Sequence, residues 1–73
     1  MSKNEEDITY FIAFCVELYK NAHNLSGEQA MLTLEKFGVL DYLSENFEVL
    51  HTQSHKWIVE DINEFIRIRK EQS

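Results

Sequence analysis

Ser26-Gly27-Glu28-Gln29-Ala30-Met31-Leu32-Thr33-Leu34-Glu35-Lys36-Phe37-Gly38-Val39-Leu40-Asp41-Tyr42-Leu43 is the stretch on which the fold turns. Ser26 followed three residues later by Gln29 reads as a reciprocal helix cap. The hydroxyl takes the third backbone N–H and the amide returns to the N–H of the cap residue. Leu25, just before it, suits the staple position. Ala30, Leu34 and Phe37 then recur at helical spacing, with Met31 beside that row. Gly38 stands where a left-handed residue ends the helix, a position that disfavours any side chain with a Cβ. There Val39 folds back towards Leu34. Val39 to Glu45 forms a second short helix with Leu40, Leu43 and Val39 inward, and Asn46 leaves it in a left-handed turn. Two short helices hinged on a glycine, in a chain without proline, make an all-α reading.

The flanks agree with that reading. Ile8, Phe11, Ile12, Cys15, Leu18, Tyr19 and Ala22 predict a long helix from about Glu5 to Ala22. Asn4 is placed to cap it, and Glu5, Glu6 and Asp7 suit its positive end. Phe14 and Val16 flank the stripe on opposite sides, so the apolar arc spans roughly 200°, twice what a surface helix needs. Such a helix lies centrally in the fold or is partly covered by another chain. Phe47-Glu48-Val49-Leu50 fits either an extended turn or one helical turn, with its apolar residues as core plugs. Thr52 or Ser54 caps the last helix, which runs to about Lys70 with Ile58, Ile62 and Phe65 inward and Val59 and Ile66 beside them. The expectation is a small bundle of about four helices, two long and two short, mostly antiparallel. It forms one domain over residues 1–73, with an ordered core of about 5–70.

Composition narrows the function. A 73-residue domain hides only about 60–65 % of the surface its unfolded chain exposes. Ordering costs about 1.5 kcal/mol per residue, which nearly cancels that gain. Seven basic against thirteen acidic residues give a net charge of −6. That balance opposes binding to nucleic acid and to an anionic membrane. The polar, acidic first residues are unlike a signal peptide, and no apolar run reaches the ~18 residues of a membrane span. The expected location is cytoplasmic.

Cys15, the one cysteine, lies within an apolar stripe and reads as a small core residue. His51 and His55, four apart beside Glu48, Glu60 and Asp61, would share a helix face and suit a metal. Thr52 and Ser54 mark a break between them, so His51, Thr52 and Gln53 read instead as hydrogen-bonding turn residues. No metal, cofactor or small-molecule substrate is expected. The acidic pairs lack a cleft or a nucleophile–base set, so no catalytic residue is assigned and no enzyme is expected. Trp57 lies about 100° from the inner row of its helix, and Ile68 falls on its side between Asp61 and Glu64. That group resembles a partner-binding spot, although Trp57 would equally cover the edge of the first helix.

Phe37-Gly38-Val39-Leu40-Asp41-Tyr42-Leu43, Glu45-Asn46-Phe47-Glu48-Val49-Leu50-His51-Thr52-Gln53 and Glu60-Asp61-Ile62 together resemble a bacterial family of short proteins of unknown function. That family pairs a GVLDYL-type block, running on into an LHT segment, with an EDI helix. The resemblance spans about Ile8 to Ile66. It implies no activity and no site residue. It implies at most an accessory, partner-binding role, since some family genes stand beside those of ADP-ribosyltransferase-like proteins, as in toxin–antitoxin pairs.

The leading expectation is therefore a protein-interaction or accessory module, antitoxin-like in its partnership. The candidate surface is Trp57, Asp61, Glu64 and Ile68, or the wide face of the first helix with Phe14 and Val16. The partner is another protein or a second copy, since a two-fold dimer would bury Phe14 or Val16. The alternative is a small DNA-binding regulator built on the helices around Gly38. Against it, the would-be recognition helix carries Asp41 and Glu45 and no Arg or Lys.

Overall fold

The computed structural model describes residues 3–72, with side chains from residue 5 onward. Among these residues there are five helices and no strand: α1 (Lys3–His23), α2 (Gly27–Lys36), α3 (Val39–Glu45), α4 (Phe47–Leu50) and α5 (His55–Gln72). The two long helices frame three short ones, and Phe47–Leu50 takes the helical of its two readings. α1 begins at Lys3, so Asn4 lies within it rather than ahead of it as a cap.

Local chemistry sets the corners. Asn24 ends α1 in the left-handed region at φ 54°, and the Leu25 N–H reaches back to the Lys20 carbonyl at 2.9 Å. This is the six-to-one bond of a Schellman end, with Leu25 folding back onto the core. One residue later the reciprocal cap is complete. Ser26 Oγ accepts from the Gln29 N–H at 3.1 Å, and Gln29 Oε1 accepts from the Ser26 N–H at 3.0 Å. Gly38 turns the chain at φ 74° and Val39 starts α3 at once.

Asn46 departs from the expectation of a left-handed exit, with φ −111°. Its N–H and its Nδ2 both donate to the Tyr42 carbonyl, and its own carbonyl accepts from Val49 and Leu50. The helical bonding therefore passes through Asn46 into α4. Ser54 rather than Thr52 caps α5, accepting from the Trp57 N–H at 3.2 Å. Thr52 instead donates to the Val49 carbonyl.

α1 is the central element, packing on α2, α3 and α5. One core joins Phe11, Cys15 and Tyr19 of α1 to Ala30 and Leu34, to Val39, Leu43 and Leu50, and to Ile58, Ile62 and Ile66. Each fully buried aliphatic side chain contributes roughly 1.5–3 kcal/mol. The buried row of α5 is thus Ile58–Ile62–Ile66, not one ending at Phe65. Phe65 sits half-buried between the Tyr42 ring, 4.5 Å away, and the Arg69 guanidinium. A flat ring with two flat neighbours is satisfied at the core's edge, and the compact Ile66 takes the interior. Ala22, the last member of the expected α1 stripe, is exposed.

Helix direction also differs from the mostly antiparallel expectation. Phe14 meets His55 and His23 meets Asn63, so contacts advance in the same order along α1 and α5. The two long helices therefore run in the same general direction.

Gly27 and Gly38 should respond oppositely to alanine. A Cβ at Gly38 meets only Arg69 Nη1 at 3.8 Å, so the penalty there comes from the backbone and not from crowding. Urea unfolding should show Gly38→Ala destabilised by about 1–2 kcal/mol. Gly27, with open space around it, should gain roughly 0.4–1 kcal/mol on replacement by Ala.

Candidate functional site

Where the N-terminal half of α1 passes α4, the surface opens into a cleft of about 550 Å³ lined by Asp7, Tyr10, Phe11, Phe14, Phe47, Glu48 and His51. Tyr10 and Phe14 lie one helical turn apart on α1, so both reach the same side. Phe11, the buried residue between them, meets Phe47 edge-on at 5.5 Å. That contact anchors α4 and leaves the outer rings uncovered: Tyr10 is 76 % exposed and Phe14 38 %. Phe14 also meets the His55 ring edge-on at 4.8 Å, which ties the cleft to the start of α5.

The floor at α4 is held by its own turn. His51 stacks on Phe47 at 4.5 Å, and its Nδ1 lies 2.8 Å from the Phe47 carbonyl. A carbonyl only accepts, so Nδ1 carries the proton and donates it to that bond. The Thr52 hydroxyl bonds the Val49 carbonyl and the Gln53 N–H bonds the Leu50 carbonyl. His51, Thr52 and Gln53 thus hold the turn, and the turn presents Phe47 and His51 to the cleft.

The six candidate residues fall into separate places. Trp57 and Ile68 are 40 % and 41 % exposed on one face of α5. The acids between them are engaged by their own chain. Asp61 Oδ2 accepts from the Tyr42 hydroxyl at 2.6 Å. Glu64 bonds Arg67, which holds the Glu64 carboxyl below its usual value and also bonds Glu71 at 2.8 Å. Phe14 belongs to the α1–α4 cleft, and Val16 is half-buried against the core.

Tyr10 gave only a weak signal in the sequence, as a lone aromatic on the polar side of α1. Its relation to Phe14 becomes visible only once Phe47 and His51 stand opposite. Val49, expected as a core plug, is 62 % exposed, because a one-turn helix anchored by Phe47 and Leu50 turns its third residue outward. Leu32 and Met31 are exposed on α2.

Other chemistries find less support. Cys15 is fully buried, and burial pushes its thiol up to about 12, far from a reactive thiolate. Among the described residues no three of His, Cys, Asp and Glu gather closely enough to hold a metal. His51 and His55 lie either side of the turn that precedes α5. No described helix is long and apolar enough to cross a membrane.

A family model described as a protein of unknown function, DUF3791, matches residues 10–69. The chain belongs to the DUF3791 family. No curated protein and no solved structure matches it. The DUF3791 match opens at Tyr10 and takes in all of α2, α3 and α4, so it contains every cleft residue except Asp7.

The Tyr42–Asp61 pair gives the domain a pH signature. Burial, the Asp61 hydrogen bond and the Asp61 charge together raise the Tyr42 phenol from 10.0 to about 12. The folded chain therefore holds this proton more tightly than the unfolded chain does. The resulting stability is complete below pH 10 and lost as pH rises towards 12. Urea midpoints measured across that window should fall for the parent chain and fall less for Tyr42→Phe. At neutral pH that variant should lose about 1 kcal/mol.

Proposed function

We propose that this chain is a protein-interaction module, an accessory partner in a bacterial cytoplasm, which acts by binding and not by catalysis. The observation that carries this reading is the α1–α4 cleft, where Tyr10 and the outer edge of Phe14 stay in solvent on a scaffold whose buried core does not include them. Aromatic side chains at the centre of a concave surface are frequent anchors of protein interfaces. The Trp57–Ile68 face of α5 offers a second, smaller contact. An antitoxin-like role beside an effector encoded in the same operon agrees with the family resemblance.

Regulation through DNA has less behind it. α3 presents Asp41 and Glu45, while Arg67 is engaged by Glu64 and Glu71 and Arg69 by Phe65. Few cations are left to displace the counterions of a duplex.

Co-purification from the native host tests the reading. Tagged parent chain should recover a stoichiometric protein partner. The folded double variant Tyr10→Ser/Phe14→Ser should lose it, and Trp57→Ala should retain it or lose it partly. A partner held at parental level by the double variant and by Trp57→Ala, or no partner at all, would contradict the proposal.

A further inference from the structure

We infer that the α1–α4 cleft receives a basic, partly apolar peptide segment of a partner protein, an inference that rests on the interaction-module reading. The lining joins aromatic rings to two carboxylates, Asp7 on α1 and Glu48 on α4, and among the described side chains holds no Lys or Arg. Neither carboxylate makes a hydrogen bond or ion pair with any described side chain. Both are exposed, so neither has lost hydration that its own chain must restore. A Lys or Arg entering between them would find an anion on each wall and ring faces beneath.

The distribution of the chain's own cations points the same way. Their cation–ring contacts fall on Phe37 and Phe65: Lys36 and Lys70 over Phe37, Arg69 over Phe65. Those rings lie near the C-terminal end of α5. The cleft lies by its N-terminal end, where Phe14 meets His55. Tyr10 and the outer edge of Phe14 thus stand next to acids without a described partner, with no Lys or Arg of the described chain upon them.

A second copy is the weaker occupant. It would bring a further net charge of −6, and its most basic segment, Arg67 to Lys70, is already engaged. Nucleic acid is disfavoured by the same two carboxylates, which repel phosphate.

Selection of short random peptides on the immobilised full-length chain tests the inference. Enriched sequences should place Arg or Lys next to Leu, Phe or Trp. For a selected peptide measured in solution, Asp7→Asn and Glu48→Gln should each weaken binding about two- to fivefold. Tyr10→Ser should weaken it roughly thirtyfold. Added salt should weaken binding to the parent more than to the Asp7→Asn/Glu48→Gln variant. Enrichment of acidic or wholly apolar peptides, or indifference to both carboxylate variants, overturns the inference. Binding lost in Trp57→Ala but kept in the cleft variants overturns it while leaving the interaction-module reading intact. No enrichment at all overturns both. Self-association of the chain, seen by light scattering and abolished by Glu48→Gln, gives the cleft to a second copy and overturns the inference as well.

Discussion

Every element of this domain depends on one layer of apolar contact, the face of α1 carrying Phe11, Cys15 and Tyr19 against Leu34 of α2 and the Ile58–Ile62–Ile66 row of α5. A chain this short supports only one such layer, and its stability is the small remainder after chain entropy is offset. The layer is therefore built from compact, fully buried side chains, and no polar side chain is buried among the described residues. α3 and α4 are too short to stand alone and hold their places through Val39, Leu43 and Leu50, which reach into the same layer.

The same constraint produces the cleft. The apolar arc of α1 is wider than α2 and α5 can cover, and α4 is a single turn that caps only Phe11. What lies beyond its reach, Tyr10 and the outer edge of Phe14, stays in solvent. Charge follows the same axis. Arg67, Arg69 and Lys70 gather at the negative end of α5, where the helix dipole favours them and where Phe37 and Phe65 offer ring faces. The cleft by the start of α5 keeps its carboxylates without such partners. An uneven bundle with aligned long helices thus has two chemically different ends.

Much of the fold was legible because its instructions are local. Ser26 with Gln29, Gly38 before Val39 and Ser54 before the last helix each act within a few residues of themselves. Asn24 and Asn46 show where local reading stops. Both are asparagines at helix ends, but only Asn24 turns left-handed, because Asn46 still has α4 ahead, whose Val49 and Leu50 N–H groups donate to its carbonyl. Phe65 and Ile66 show a second limit. Helical spacing admits either to the inner row, and only the flat neighbours Tyr42 and Arg69 settle which goes where. The cleft was the least legible part. Phe14 was visible as surplus and Trp57 as an outlier, but the meeting of Tyr10 with Phe47, Glu48 and His51 depends on the angle at which α4 crosses α1. No residue spacing encodes that angle. Asp61 looked like part of an acidic rim because Tyr42, nineteen positions away, is brought to it only by the fold.

The central claim is that the outward apolar side chains are surplus to folding. Urea unfolding of the Tyr10→Ser/Val49→Ser double variant tests it most directly, since these are the most exposed large apolar residues among those described. The account predicts an unfolding free energy within about 0.5 kcal/mol of the parent, as for an ordinary surface change. A loss of about 2 kcal/mol or more, the size expected of a core residue, would show that the fold itself needs them and would contradict the account.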